Sequence, residues 1–116
     1  MKNFTLVLFF LVLGTGSLFA QKQKPVTTSF WVAGACGMCK TTIESAVDVK
    51  GVVSFNYDLA NHRLTLTYKP DKISLDKIHT LLHEAGYDTE NGNCTEEQYN
   101  RVHQCCKYRD PETQHP

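Results

Sequence analysis

Cys36 and Cys39 stand two residues apart in Val32-Ala33-Gly34-Ala35-Cys36-Gly37-Met38-Cys39-Lys40, where a β-forming stretch gives way to a helical pattern. Two thiols at that spacing can close on one soft metal ion or on each other. Thiolates are soft ligands and select Cu(I), Zn(II), Hg(II) and similar ions. With Cys39 in the first turn of a helix, the helix N-terminus favours its negative charge and eases the proton off. A glycine-containing loop lets Cys36 swing to an angle that suits a low-coordinate ion. Two near-surface ligands leave that ion exchangeable, whereas permanent structural sites normally recruit four.

The pair has to be positioned by the elements around it. Residues 27–32 are rich in β-formers and read as a first strand. Gly34 and Gly37 break it into a loop. From Cys39 the pattern is helical, with Ile43, Ala46 and Val47 on one face, and Gly51 ends it. Residues 52–58 form a second strand with Val53, Phe55 and Tyr57 facing one way. A turn at Ala60-Asn61-His62 leads into a third strand, 63–68, with Leu64, Leu66 and Tyr68 on one face, so the two make a hairpin. Ser74 is an N-cap for a second helix whose stripe is Ile78, Leu81, Leu82 and Ala85, and Gly86 stops it. Residues 87–90 supply a short last strand. The order β-α-β-β-α-β predicts an α+β, ferredoxin-like fold, with two helices on one face of a four-stranded antiparallel sheet and a short Cys-rich C-terminal extension.

The ends and the composition bound the function. Lys2, the apolar run Phe4–Leu13 and the small residues before Ala20 are laid out as a secretory signal peptide, and the run is too short to span a membrane. The expected organisation is a signal peptide at 1–20, a linker at 21–27, the metal-type domain at 28–90 and a Cys/His-containing extension at 91–116. The location expected is periplasmic or extracellular. Lys+Arg and Asp+Glu balance at 12 each over the 116 residues, and no basic stripe provides the footprint that nucleic-acid binding requires. Five cysteines in an exported chain leave at least one without an intramolecular disulfide partner. No Ser/His/Asp arrangement, paired acidic motif or phosphate-binding glycine loop argues for an enzyme.

Other readings of the pair stay open on the residues alone. A Cys36–Cys39 disulfide, as in a disulfide-stabilised interaction module, would close a very short loop and stabilise little. A structural zinc half-site would need the tail cysteines. A thiol–disulfide oxidoreductase could use Cys-Gly-Met-Cys, but the following elements are in the wrong order for a thioredoxin fold, and Pro70 sits between the third strand and the second helix.

The motif, the helix Lys40–Val47, the Gly51-Val52 strand start and the closing Glu84-Ala85-Gly86-Tyr87 together resemble heavy-metal-associated domains over about Ser29–Glu90. That family includes small copper chaperones, the N-terminal modules of metal-pumping P-type ATPases and the periplasmic mercury-binding protein. The resemblance implies that Cys36 and Cys39 are metal ligands. The cargo expected is one soft ion, Cu(I) ahead of Hg(II) and Zn(II). The partners expected are a membrane metal transporter or P-type ATPase domain, or a second copy bridged through the metal. Tyr87, at the family's shielding position, is a candidate lid over the ion, with a core aromatic at the start of the fourth strand the equal alternative. The family usually reads Gly-Met-x-Cys-x-x-Cys, whereas here Gly34-Ala35 precedes Cys36 and the nearby Met is Met38, so the loop is one residue tighter.

The fold order brings the turn at His62 and the Gly86-Tyr87 loop to the cysteine end of the sheet. Lys40 is a candidate to offset thiolate charge. Met38 is a candidate thioether, with packing into the domain the stronger expectation. Cys94, His103, Cys105 and Cys106 form a candidate accessory metal site, or extra ligands folded back toward Cys36 and Cys39. Ahead of both stands a disulfide from Cys94 to Cys105 or Cys106, provided the intervening helix is short. His62, His79, His83 and His115 are expected at the surface, and residues 110–116 without fixed structure.

Overall fold

Alternating β-formers draw three segments into one antiparallel sheet: β1 (Val26–Trp31), β2 (Val52–Asp58) and β3 (Arg63–Tyr68), in the order β1-β3-β2. The structure is a computed structural model that describes residues 24–103 and 106–110. Pairing Phe30 with Leu64 and Thr28 with Leu66, and Tyr57 and Phe55 with the same two leucines, puts the apolar side chains on one face. The other face is polar: Thr27 and Thr67 hydroxyls meet at 2.8 Å, and Thr65 donates to Ser29 at 3.3 Å. β1 starts within the segment expected to be linker.

Helix α1 (Gly37–Val47) and helix α2 (Leu75–Glu84) cover the apolar face. In α1 the buried stripe is Cys39, Ile43 and Val47, at four-residue spacing, so the second cysteine of the pair is itself a core residue. Ser74 caps α2 by accepting from the Lys77 amide at 3.1 Å, and Ile78 and Leu82 are fully buried.

The structure departs from the expected pattern at four places. Val53 is exposed, because a bulge between Val52 and Ser54 interrupts the alternation of β2. The α1 helix begins at Gly37, earlier than the pattern suggests, and makes Cys36 its N-cap. His79 is buried rather than at the surface, with its Nδ1 2.8 Å from the Thr89 hydroxyl and its ring tilted against Phe30, centroids 4.2 Å apart.

The fourth difference is the sheet itself. The expected last strand is reduced to a single bridge, Val32 to Thr89, flanked by amide donations from Ala33 to Asp88 and from Glu90 to Trp31, both 3.0 Å. The sheet has three strands among the described residues. The pairing stops because the chain turns at once: Thr89 and Gly92 exchange backbone hydrogen bonds of 2.9 and 3.0 Å. Thr89 is also tied by its hydroxyl to His79 and His83.

The segment after Gly92 is not an appendage. Helix α3 (Glu96–Tyr99) opens with a complete capping box between Thr95 and Gln98, as read from the sequence, and lasts four residues. Tyr99, Val102, Cys106 and Tyr108 join the hydrophobic core. Among the described residues no helix is long and apolar enough to cross a membrane. The expected signal peptide at 1–20 lies outside them, as do residues 111–116.

Candidate metal centre

Cys36 sits where β1 has ended and α1 begins. Its extended backbone (φ −154°, ψ 176°) turns its carbonyl to accept the Cys39 and Lys40 amides at 3.0 and 3.3 Å. As the N-cap its backbone is fixed by the first helical hydrogen bonds, one residue before the helix rather than within a longer loop. Its sulfur is half-buried at the positive end of the helix, 3.9 Å from that of Cys39. The third sulfur comes from the far end of the chain: Cys106 lies 3.6 Å from Cys36 and is joined to Cys39 as a disulfide. The three sulfurs lie within 4.8 Å of one another, and Cys39 and Cys106 are completely buried.

Beneath the loop stands Tyr57. Its hydroxyl donates to the Val32 carbonyl at 2.6 Å and lies 3.4 Å from His62 Nδ1. Burial pushes this phenol above its ordinary range, with the Tyr87 phenol and Asp58 adding to the effect. A Cβ on Gly34 would come within 2.7 Å of the Tyr57 hydroxyl, so a residue without a side chain is required there. The turn histidine, at φ 54°, also accepts the Val32 amide through its carbonyl at 3.0 Å. His62 thereby reaches the cysteine end of the sheet, as the topology predicts, but as a brace for the loop base.

Lys40 directs its hydrogen bonds away from the sulfurs. Its ammonium donates to Glu44 (3.0 Å), to the Asn56 side chain (3.3 Å) and to the Tyr57 carbonyl (2.7 Å), which uses all three N–H bonds. It clamps α1 to β2. Burial acts to raise the Glu44 carboxyl, but donation from the Tyr57 amide and from Lys40 holds it below its usual range. Met38 is 48% exposed, so it does not pack into the domain as expected. Tyr87 is fully buried and stacked on Tyr108 (ring centroids 5.8 Å apart), a core aromatic rather than an exposed lid.

A model of the heavy-metal-associated domain matches residues 29–88. The chain belongs to this family. The Staphylococcus aureus copper chaperone CopZ (strain JH9) is 31% identical to this heavy-metal-associated domain over 55 residues, 47% of this chain and 81% of the chaperone. The structure of a CopZ metallochaperone is 29% identical and superposes with a TM-score of 0.53, covering 55% of this chain and 98% of that one. Oxidized MerP from Ralstonia metallidurans is 25% identical, with a TM-score of 0.55 over 58% of this chain and 96% of MerP.

The family match ends at residue 88, so the segment that delivers Cys106 lies beyond it. This heavy-metal-associated domain anchors that segment through Asp88. Its carboxylate accepts two hydrogen bonds from the Arg109 guanidinium, 2.8 and 3.2 Å, and a third from the Cys94 amide at 3.0 Å. Burial acts to raise the Asp88 carboxyl; these donors outweigh it and hold the group below its ordinary range. The Tyr108 hydroxyl donates to the Gly86 carbonyl at 2.7 Å and accepts the Asp88 amide at 3.0 Å.

The candidate accessory group is therefore dispersed. Cys94 is buried beside the Tyr108 hydroxyl at 3.5 Å, and burial raises its thiol. Its expected disulfide to Cys106 is not formed, although α3 is short enough to permit it, because Cys106 is joined to Cys39 instead. His103 is exposed, and Cys105 lies outside the described residues. Sequence reasoning missed Asp88, Tyr108 and Arg109. The run Lys107-Tyr108-Arg109-Asp110 directly after two cysteines was the available signal, an aromatic and a bidentate cation where a disordered end would be solvated.

Proposed function

We propose that this protein is an exported carrier of one soft metal ion, Cu(I) foremost with Hg(II) and Zn(II) as alternatives, captured by Cys36 and Cys39. The observation that carries the reading is two sulfurs 3.9 Å apart at the start of α1 in a heavy-metal-associated domain. Relatives named as the copper chaperone CopZ and a CopZ metallochaperone support copper as the cargo. The half-buried Cys36 offers the accessible thiolate through which an incoming carrier thiolate would displace a protein ligand, so the ion passes without being released to water. No bond of the cargo is made or broken apart from coordination, and no catalytic group is needed. The receiver would be a membrane metal transporter or the metal-binding domain of a P-type ATPase. A second copy facing the first across the ion is the alternative partner.

Anaerobic titration of the reduced protein with Cu(I), Hg(II) and Zn(II) tests this, together with protein sequencing of the exported form for cleavage after Ala20. One tightly held ion, lost in Cys36→Ser/Cys39→Ser, is expected; undiminished binding by the double variant would refute the site. One observation favours a second reading, thiol–disulfide exchange: the Cys36 sulfur lies 3.6 Å from the bridged Cys106. Catalysed insulin reduction by the metal-free protein would establish that activity in place of the carrier.

A further inference from the structure

We infer that the reduced chain holds its ion with three thiolates, Cys106 supplying the third from a segment that the family match does not include. The inference rests on the reading of Cys36 and Cys39 as metal ligands and adds a ligand to them. Geometry favours three over two. With a metal–sulfur bond of about 2.3 Å, a linear two-sulfur site needs sulfurs roughly 4.6 Å apart, and a planar three-sulfur site needs them about 4 Å apart. Cys36 lies 3.9 Å from Cys39 and 3.6 Å from Cys106. The remaining pair is bridged with its Cα atoms 5.6 Å apart, which lets the sulfurs part to the trigonal spacing by side-chain rotation once the bridge opens.

Cys106 is not there by the accident of a loose end. It is completely buried, its amide donates to the His103 carbonyl at 2.8 Å, and its carbonyl accepts the Tyr108 amide at 2.7 Å. Two and three residues on, Tyr108 and Arg109 are fastened to Gly86 and Asp88, so the anchor holds independently of the bridge. Opening the bridge takes two electrons and two protons from a dithiol reductant, which leaves as its own disulfide, and yields the Cys39 and Cys106 thiols. The three thiols then give their protons to water as the ion binds. Three soft thiolates in a largely buried setting suit ions that accept trigonal sulfur coordination, Cu(I) and Hg(II) among them.

The test uses the full chain, reduced by a phosphine under anaerobic conditions and loaded with one equivalent of Cu(I). X-ray absorption at the copper edge counts the sulfur neighbours. The expected result is three sulfurs in the wild type, in Cys94→Ser and in Cys105→Ser, and two in Cys106→Ser, with one ion still bound. A competing copper chelator should strip Cys106→Ser about tenfold faster or more. Two sulfurs in the wild type, or three retained in Cys106→Ser, would overturn the third ligand while leaving the Cys36/Cys39 site standing. Failure of the reduced wild type to bind copper at all would instead overturn the underlying carrier reading. If Cys106→Ser does not fold, the counts in the wild type and the other two variants decide the matter: three in all of them upholds the inference, fewer in any rejects it.

Discussion

A lysine placed directly after a metal-type cysteine invites an electrostatic role, and here the geometry assigns it a different one. Lys40 spends its three N–H bonds on Glu44, Asn56 and the Tyr57 carbonyl, so nothing remains for a thiolate. Lys40→Met should therefore leave metal affinity and stoichiometry unchanged in the anaerobic titration. It should lower stability by about 1 kcal/mol in urea unfolding, because the α1–β2 clamp and the satisfaction of Glu44 are both lost. Weakened metal binding at full stability would restore the electrostatic role. Gly86 makes an opposite point, that a residue with no chemistry can be indispensable. At φ +100° it occupies the left-handed region, and an added Cβ would lie 2.6 Å from both the Gln98 carbonyl oxygen and Val102. Gly86→Ala should cost about 2 kcal/mol or more by the same measurement, because backbone strain and a clash with the docked tail combine.

At the scale of elements, residues 93–103 and 106–110 behave as part of the domain, held by the Asp88–Arg109 pair and the Tyr108 hydroxyl. Asp88 has a folded-state value below that of the unfolded chain. Its contribution is complete above about pH 4, the ordinary carboxylate range, and is lost as pH falls through the lower folded value. Acid should loosen the tail: amide exchange around Cys94 and Tyr108 should accelerate below pH 4 in the wild type. In Asp88→Asn it should already be fast at neutral pH, with about 1–3 kcal/mol of stability lost. Equal protection in the two proteins at pH 7 would count against the anchor. The elements bearing strong period were legible in the sequence: β1, the hairpin, both helices with the Ser74 cap, and the box at Thr95. What failed to show depends on contacts distant along the chain. The fourth strand has apolar and β-forming residues, yet it is cut short by the Thr89–Gly92 turn and the two histidines that grip Thr89. The tail looks polar and loose in one dimension, and only the placement of Asp88 and Gly86 on the folded domain explains why Tyr108 and Arg109 return to it. The CxxC pair was legible as a site, and the tail cysteines as ligands that could fold back to it; which of them returns was not, since sequence spacing says nothing about a contact made across 67 residues.

At the scale of the whole molecule, that contact ties Cys106 to helix α1 and sets stability against readiness for metal. A bridge spanning 67 residues removes a large loop from the unfolded ensemble, worth about 4 kcal/mol in the chain-entropy account. The same bridge withholds Cys39 from any ion. Reduction therefore exchanges a covalent constraint for ligands, and a bound ion gives stability back by mass action, growing with the logarithm of ion concentration over its dissociation constant. The expected order in thermal unfolding is oxidised above reduced metal-free, with the reduced form recovering as Cu(I) is added. Oxidation should then add nothing to the stability of Cys106→Ser, which cannot form the bridge, while copper should still raise it. If the oxidised and reduced wild-type proteins unfold together, the Cys39–Cys106 link does not constrain the chain in solution. If copper stabilises the oxidised protein as well as the reduced one, Cys39 is not needed for binding, and the bridge is no barrier to loading.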